Sequence, residues 1–129
     1  MQVIRKGSAP AERGTTFTGE TTLERYLAGG AEGISLSVVH FKDGSRTHWH
    51  EHPGEQILFI LEGRGRVGTE NEEIEVGPGD VIYTGPGERH WHGAAPGASM
   101  THISITRGGP PVWGEPPEGC PRRTPPGTG

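Results

Sequence analysis

Between residues 17 and 106 the chain repeats one pattern, in which short alternating or apolar runs are separated by a few glycine, proline, asparagine or aspartate residues. Such runs are typical of β-strands and such breaks are typical of turns. The pattern predicts strands over Phe17–Leu23, Ile34–Phe41, Thr47–His52, Gln56–Glu62, Arg64–Thr69, Glu73–Val76, Val81–Thr84, Arg89–His92 and Ser99–Thr106. Because only short turns separate them, these strands predict an all-β antiparallel barrel or sandwich.

The two ends of the chain lack this pattern. Residues 1–16 read as an irregular arm with one short edge strand at Val3-Ile4, and residues 17–107 form the predicted barrel. Residues 108–129 are rich in proline and glycine, and we expect them to drape over the barrel or to stay mobile, with Trp113 as an anchor. Within the barrel, residues 24–27 fit one helical turn that Gly29-Gly30 would end. There is no internal repeat.

Composition limits the size of the core. With 129 residues the chain forms one domain, and only 29% of its residues are hydrophobic. A thin core of this kind is often stabilised by association, so we expect a homodimer. The 23 glycines and 12 prolines suggest disorder only in the tail, because elsewhere they separate strand-like runs.

Charge and targeting signals exclude several classes of partner. The net charge is −4 and the basic residues form no stripe, so nucleic acid is not an expected partner. The N-terminus has no apolar signal region and no run approaches membrane-spanning length, so we expect a cytoplasmic protein that does not bind membranes. Cys120 is the single cysteine, lies in the tail and is not expected to belong to a functional site.

Three histidines and one glutamine point to a metal. Residues two apart on a strand project from the same face, so His50 and His52 present two imidazoles side by side. The turn at residues 53–55 brings Gln56 back on the adjoining strand, and His90 adds a third imidazole from a distant one. These groups are costly to bury without a shared ligand, and their nitrogen-rich donor set suits a divalent transition metal.

The fourth ligand is open between Gln56 and Glu55, since a one-residue slip exchanges their faces. With Gln56, all protein ligands are neutral and the metal keeps its full charge, which makes it a stronger Lewis acid. With Glu55, the site would instead resemble the histidine-plus-carboxylate sites of non-haem iron oxygenases.

Further histidines are candidates for acid/base catalysis near the metal. Strand alternation places His92 on the face of His90, and His102 on the last strand in step with Met100, Ser104 and Thr106. His48 is a third candidate, because it shares a face with His50, although it would lie nearer the barrel rim than His50 does. We interpret His40 as structural, because the neighbouring Val39 would point into the barrel. The sequence contains none of the catalytic motifs G-x-S-x-G, C-x-x-C and H-E-x-x-H, nor a phosphate-binding loop.

Two motifs carry a family resemblance. Residues 44–63 match G-x5-H-x-H-x3-E-x6-G, the first cupin motif, with Gln56 in place of the glutamate. Residues 79–90 resemble the second motif, G-x5-P-x-G-x2-H, with Gly85 in place of the proline. Membership of the cupins would imply a double-stranded β-helix (jelly-roll) barrel, an internal metal and usually a dimer.

A closer resemblance rests on FTG (17–19), RTHWHEHPGEQ (46–56), PGERHWHGA (86–94) and MTHISI (100–105). These strings are similar to small bacterial single-domain cupins, which include manganese-dependent (R)-hydroxynitrile lyases and cupins associated with carboxymuconolactone decarboxylases. The resemblance implies an Mn(II) site, with Fe(II), Ni(II) or Zn(II) as alternatives, and acid/base catalysis by His102. The implied metal ligands are His50, His52, Gln56 and His90. The implied pocket positions are Ser37, Val39 and Thr106.

The sequence therefore predicts a metal-dependent enzyme acting on a small molecule, with hydroxynitrile-lyase chemistry first. A dioxygenase on the same barrel and a non-catalytic metal-binding or sensor protein are the alternatives. An apolar pocket would suit an aromatic or alkyl substrate group. Its expected lining is Val39, Ile57 or Leu58, Phe59 or Ile60, and Met100.

Overall fold

Alternating and apolar segments form β-strands in the computed structural model, which describes residues 1–118. The regular elements of these residues are β-strands apart from one short 3-10 turn, Gly30–Glu32. The strands are β1 (Ala11–Arg13), β2 (Glu20–Leu27), β3 (Ile34–Lys42), β4 (His50–Glu51), β5 (Gln56–Gly63), β6 (Gly65–Gly68), β7 (Glu73–Val76), β8 (Val81–Thr84), β9 (Trp91–Ala94), β10 (Met100–Arg107) and β11 (Val112–Trp113). The predicted all-β fold is confirmed.

The strands form three antiparallel sheets that make up a jelly-roll barrel. The large sheet has the order β1-β2-β3-β10-β5-β8, and the small sheet has the order β7-β6-β9. A two-stranded sheet joins β11 to β4. Isolated bridges between Arg46 and Gly93 and between His50 and His90 connect the small sheet to the segment around β4. This segment therefore closes one side of the barrel.

Alternation along β5 separates the inside of the barrel from the outside. Gln56, Leu58 and Ile60 are at most 2% exposed, whereas Ile57 and Phe59 are about 40% exposed. The inner face packs a core that includes Leu23, Val39, Phe41, Ile60 and Met100. Because successive strand residues point to opposite faces, every second residue of β5 is available to an internal site.

Strand register aligns polar inner-face residues next to Gln56. In the pairing of β3, β10 and β5, Ser37 lies opposite Ser104, and Thr106 lies opposite Gln56. One pair further along, Val39 lies opposite His102. The large sheet therefore brings Gln56, Ser104 and His102 to one region of its inner surface.

The predicted helical turn at residues 24–27 is wrong, because this segment continues β2. Its residues pair with β3, and a register shift between Arg25 and Leu27 absorbs the irregularity. Pairing along a full neighbouring strand outweighs the weak local helix preference of four residues. The short helical turn forms at Gly30–Glu32 instead. The arm also differs from prediction, since its strand is β1 and not Val3-Ile4.

The strand predicted over Thr47–His52 is much shorter, because the chain there divides its hydrogen bonds between two partners. The amide of Thr47 donates to the carbonyl of His92, and the amide of His48 donates to that of Thr16. Close approach requires Gly93, since a Cβ there would lie 2.5 Å from the Ser45 carbonyl oxygen. A continuous ladder forms only over β4.

The described part of the tail lies on the barrel. Val112 pairs with Glu51 and Trp113 pairs with His50. Residues 119–129, including Cys120, lie outside the described residues. Within residues 1–118, no helix is long and apolar enough to cross a membrane.

Candidate metal centre

Three buried imidazoles converge where β4 meets the segment before β9. His50, His52 and His90 each offer a nitrogen, and these atoms all lie within 4.8 Å of one another. Two reciprocal backbone hydrogen bonds of 2.9 Å between His50 and His90 hold the two segments together. The sequence prediction that these histidines lie side by side agrees with this geometry.

Backbone carbonyls orient two of the imidazoles. Nδ1–H of His50 donates to the carbonyl oxygen of His48, and Nδ1–H of His90 donates to that of Glu88, both at 2.8 Å. In the neutral tautomer this leaves the Nε2 lone pair of each ring free. This arrangement is the one by which proteins hold histidine ligands to a metal.

The amide of Gln56 faces His90. Gln56 Oε1 lies 2.8 Å from His90 Nε2, and Gln56 Nε2 donates to Ser104 Oγ at 3.0 Å. Since the one proton of neutral His90 is on Nδ1, its Nε2 and the amide oxygen are two acceptors facing each other. A cation shared by both atoms resolves this conflict.

An unsatisfied nitrogen supports the same conclusion. His52 Nε2 is buried and has no hydrogen-bond partner among the described residues. A buried polar atom of this kind is rare in native structures unless it binds something. The residues present therefore fit a metal held by three imidazoles and one amide oxygen.

Burial keeps the three imidazoles neutral. Burial, followed by the effect of the neighbouring His90, lowers the pKa of His50 to about 3 and that of His52 to about 4. Burial also lowers the pKa of His90. A metal needs deprotonated nitrogen, so these rings are in the ligand form at neutral pH.

Glu55 is placed away from the histidines. Its carboxylate accepts a hydrogen bond from Arg107 Nη2 at 2.9 Å. Gln56 is 2% exposed and lines the same cavity as His50 and His52. Of the two alternatives for the fourth ligand, the structure therefore brings Gln56 to the histidine group.

A second histidine pair lies beside this group. His102 Nε2 and His92 Nδ1 are 3.0 Å apart, and the His92 ring centroid lies 5.1 Å from that of His50. Burial lowers the pKa of His102 to about 4 and that of His92 well below its usual value. The outer nitrogens of the pair, His92 Nε2 and His102 Nδ1, have no hydrogen-bond partner in the described chain. The pair can therefore accept a proton at one end and release one at the other.

The histidines open into a cavity of about 520 Å³. Its lining includes His50, His52, Gln56, His92 and His102. Ser37, Val39 and Thr106 also line it, which agrees with the expected pocket positions. The rest of the expected apolar lining is wrong. Leu58, Ile60 and Met100 are buried in the core, and Ile57 and Phe59 lie on the outer face of the sheet.

The remaining histidines lie elsewhere. Among the described residues that line the cavity, His48 does not occur. Its carbonyl oxygen orients His50, so its main chain takes part in the site. His40 lies on the outer sheet face, where Nε2 is 2.6 Å from Glu24 and Nδ1 is 3.1 Å from Thr101 Oγ1. Its position agrees with a structural role.

The tail, and Phe17 at the start of the predicted barrel, supply cavity residues that the sequence did not place in the pocket. The Trp113 indole packs on the His50 imidazole at a centroid distance of 4.6 Å, and Phe17 packs on Trp113 at 6.4 Å. Pro110 and Pro111 line the cavity beside Trp113. In the sequence, the contact is indicated only by Trp113 itself, a single tryptophan in a tail with few other apolar residues. Such a residue is a candidate for packing on the barrel.

A family model described as "Cupin domain" matches residues 37–105. This range includes His102 and the four residues of the candidate metal centre, which are His50, His52, Gln56 and His90. The chain belongs to the cupin family.

Similarity to a named relative extends over most of the chain. The (R)-mandelonitrile lyase of Granulicella tundricola is 38% identical over 109 residues, covering 81% of this cupin and 83% of that protein.

Two solved structures are similar to this cupin. The crystal structure of a cupin-like protein of Thermotoga maritima has a TM-score of 0.74 and 34% identity, covering 81% of this chain and 87% of that one. The polyketide cyclase RemF of Streptomyces resistomycificus has a TM-score of 0.73 and 24% identity, covering 92% of this chain and 88% of that one. The second likeness shows the fold alone.

Proposed function

We propose that this cupin is a manganese-dependent hydroxynitrile lyase that cleaves a small α-hydroxynitrile, such as (R)-mandelonitrile, into a carbonyl compound and hydrogen cyanide. The observation that carries the proposal is one cavity that is lined both by His50, His52 and Gln56 of the neutral three-histidine, one-glutamine group and by a separate neutral histidine pair. Similarity to the (R)-mandelonitrile lyase of Granulicella tundricola supports the choice of this reaction over others.

His50, His52, Gln56 and His90 are the residues that would hold the metal. A divalent metal bound by four neutral ligands supplies a Lewis acid that lowers the pKa of the substrate hydroxyl. Ser104 keeps the Gln56 oxygen directed at the cluster by accepting from the amide nitrogen. The carbonyls of His48 and Glu88 do the same for the two imidazoles by fixing their tautomers.

The His92–His102 pair moves the proton. When His92 Nδ1–H donates to His102 Nε2, the His92 Nε2 lone pair faces outward and accepts the substrate hydroxyl proton. The electron pair of that O–H bond forms the C=O bond, and the electron pair of the C–C bond leaves with cyanide. The proton held by the pair then passes to cyanide, which leaves as hydrogen cyanide. Because burial lowers the pKa of both imidazoles, the pair is neutral at neutral pH and has a lone pair ready to accept the proton.

The cavity fits a small aromatic hydroxynitrile. Its volume of about 520 Å³ lies within the usual range for small-molecule sites. Phe17, Leu23, Val39 and Trp113 offer apolar surface to a phenyl or alkyl group. The hydroxyls of Ser37 and Thr106 add polar surface beside Gln56.

The test uses protein stripped of metal and reloaded separately with Mn²⁺, Fe²⁺, Ni²⁺ and Zn²⁺. We expect benzaldehyde release from (R)-mandelonitrile that requires Mn²⁺ and is lost in His52→Ala. Lack of cleavage with every metal would contradict the proposal. Oxygen consumption with Fe²⁺ or Ni²⁺ in its place would support a dioxygenase, and ligand binding without turnover would support a sensor.

A further inference from the structure

The cavity that holds the histidines also has a charged end. Among the described residues that line it, Glu12, Arg13 and Arg25 are the ones that carry a full charge. Two arginines against one glutamate give the lining a net charge of +1, although the whole chain carries −4. The ligand residues of the candidate metal centre are neutral and do not offset this charge. The cavity therefore favours an anion in a protein that is otherwise acidic.

Arg25 reaches the cavity from β2 by strand alternation. Leu23 is buried on the inner face of β2, so Arg25, two residues further along, projects from the same face. Its Nε lies 3.2 Å from the Glu12 carboxylate, and the two side chains are 59% and 47% exposed. An exposed ion pair of this kind contributes little free energy, and a guanidinium has further N–H donors. Arg25 can therefore take a second anion at the open end of the cavity.

A row of hydroxyl groups joins Arg25 to Gln56 across the inner face of the large sheet. Arg25 lies opposite Ser37, and Ser37 lies opposite Ser104. Thr106 lies beside this row and opposite Gln56. Within residues 1–118 the hydroxyls of Ser37 and Thr106 have no hydrogen-bond partner, and that of Ser104 accepts from Gln56, so its own proton is free. All three hydroxyls can therefore donate to a ligand that extends from Arg25 to the metal centre.

The distance across the sheet suits a ligand with a polar group at each end. Strands β3 and β10 separate β2 from β5, so the main chains of Arg25 and Gln56 lie about 14 Å apart. Both side chains extend over the inner face and shorten this gap. What remains is about the length of a benzene ring with a substituent at each end. A substrate of this size can contact Arg25 and the metal centre at the same time.

A carboxylate is the anion that fits Arg25. The planar guanidinium matches the two oxygens of a carboxylate with parallel hydrogen bonds. One negative charge also balances the net charge of the lining, which a phosphate dianion would exceed. We propose that the natural substrate carries a carboxylate, which Arg25 holds at the open end while the substrate hydroxyl lies at the metal centre. Resting on the proposed lyase function, this makes the substrate an α-hydroxynitrile of a carbonyl compound that also bears a carboxylate.

The test measures binding, so that it does not depend on turnover. The probes are 4-(hydroxymethyl)benzoate and 4-(hydroxymethyl)benzamide, which share their shape and their hydroxyl and differ in charge. Isothermal titration calorimetry on the purified protein at pH 7.5 gives both dissociation constants. We expect the acid to bind about tenfold more tightly than the amide, as a hydrogen bond to a charged group allows. Added salt should reduce this factor.

Three variants assign the preference to Arg25. Arg25→Gln should bring the two dissociation constants close together. Glu12→Gln should increase the preference for the acid, because it removes the carboxylate that competes for Arg25. Arg64→Gln is the matched control, since Arg64 is 63% exposed and its Nε lies 3.4 Å from Glu75, but it does not line the cavity. This variant should keep the wild-type preference.

Four results would overturn the carboxylate site. They are equal binding of acid and amide by the wild type, a preference for the acid that Arg25→Gln leaves unchanged, the same loss of preference in Arg64→Gln, and tighter binding of 4-(hydroxymethyl)phenyl phosphate than of the acid. An unchanged preference in Arg25→Gln would mean that another group, such as the metal, holds the carboxylate. Should Arg25→Gln fail to fold, Glu12→Gln decides, and a preference that does not increase contradicts the proposal.

Cleavage of (R)-mandelonitrile is a separate measurement and separates the two proposals. Absence of cleavage, together with a preference for the acid that depends on Arg25, would contradict the lyase function and leave the carboxylate site standing. Cleavage without any preference for the acid would do the reverse. If both proposals hold, the cyanohydrin of 4-formylbenzoate should be cleaved with a higher kcat/KM than (R)-mandelonitrile, and Arg25→Gln should lower the ratio of the two values. An unchanged ratio would contradict the role of Arg25.

Discussion

Trp113 lies over the imidazole of His50, with ring centroids 4.6 Å apart and planes inclined by 37°. The contact follows from strand pairing, because Trp113 is the direct partner of His50 across β11 and β4. Two more backbone hydrogen bonds, from Gly114 to Trp49 and from Trp49 to Glu115, hold the segment in place. The tail therefore covers one residue of the three-histidine cluster and restrains its ring.

Removing the indole should weaken metal retention. We expect Trp113→Ala to release metal to a chelator about tenfold faster, since loss of groups that support a ligand costs 10- to 100-fold in affinity. Trp113→Phe should release metal at nearly the wild-type rate because it keeps an aromatic ring at this position. Val112→Ala is the control, as Val112 is exposed on the same strand. Equal release rates for Trp113→Ala and Val112→Ala would show that the contact does not support the metal.

Ser104 should control the orientation of Gln56. Its hydroxyl accepts from Gln56 Nε2, so Ser104→Ala leaves the amide free to turn its nitrogen toward the imidazoles. We expect a roughly tenfold loss of metal affinity, measured by competition with a chelator. Ser37→Ala removes a hydroxyl from the directly opposite residue of the same cavity and should leave affinity unchanged. If the two variants bind metal alike, the hydrogen bond to Gln56 is without effect.

Periodicity predicted much of the site because strands impose simple rules. His50 and His52 are two residues apart, and His102 occurs in step with Ser104 and Thr106, so their common face followed from spacing. The choice between Gln56 and Glu55 needed the register of β5 against β10, which a one-residue slip would reverse. Spacing alone does not contain that information.

Other parts of the site depend on contacts between segments that are distant in sequence. Trp113 and Thr16 reach the cavity from the tail and the arm, and neither segment has a period that indicates a face. The segment Glu24–Leu27 looks locally helical, yet pairing with β3 makes it a strand. In both cases the deciding interaction is tertiary, so local pattern cannot supply it.

Gln56→Glu separates metal binding from catalysis. The added carboxylate should bind a divalent metal more tightly, because it contributes a negative charge that the amide lacks. The same charge makes the metal a weaker Lewis acid, so we expect slower (R)-mandelonitrile cleavage at saturating metal. Chelator competition and turnover are measured on the same preparation. Faster cleavage in Gln56→Glu would contradict the role assigned to the neutral ligand set.

His102→Gln tests the proton relay. His102 lies in the pair with His92 and not in the three-histidine cluster, so the variant should retain metal with wild-type stoichiometry. Loss of a positioned acid/base group lowers turnover by about 10²- to 10⁴-fold, and we expect a decrease in this range. The decrease should appear in kcat more than in KM. Unchanged kcat with full metal occupancy would remove His102 from the mechanism.

The metal-free protein should lose stability as the solution is acidified from neutral pH. An unfolded histidine binds a proton near pH 6.5, whereas folded His102 does so only near pH 4 because burial lowers its pKa. Between these values the unfolded state holds more protons, so the free energy of unfolding falls as pH decreases and is flat above pH 6.5. His102 alone accounts for about 3 kcal/mol across this range.

Urea midpoints at pH 8, 6.5, 5.5 and 4.5 measure this dependence. Buried His50, His52, His90 and His92 add to the slope in the same direction, since the pKa of each is also lowered. His102→Gln should reduce the slope relative to wild type, because one buried titrating group is gone. A midpoint that stays constant or rises between pH 6.5 and pH 4.5 would show that these imidazoles are not buried and neutral in the folded protein.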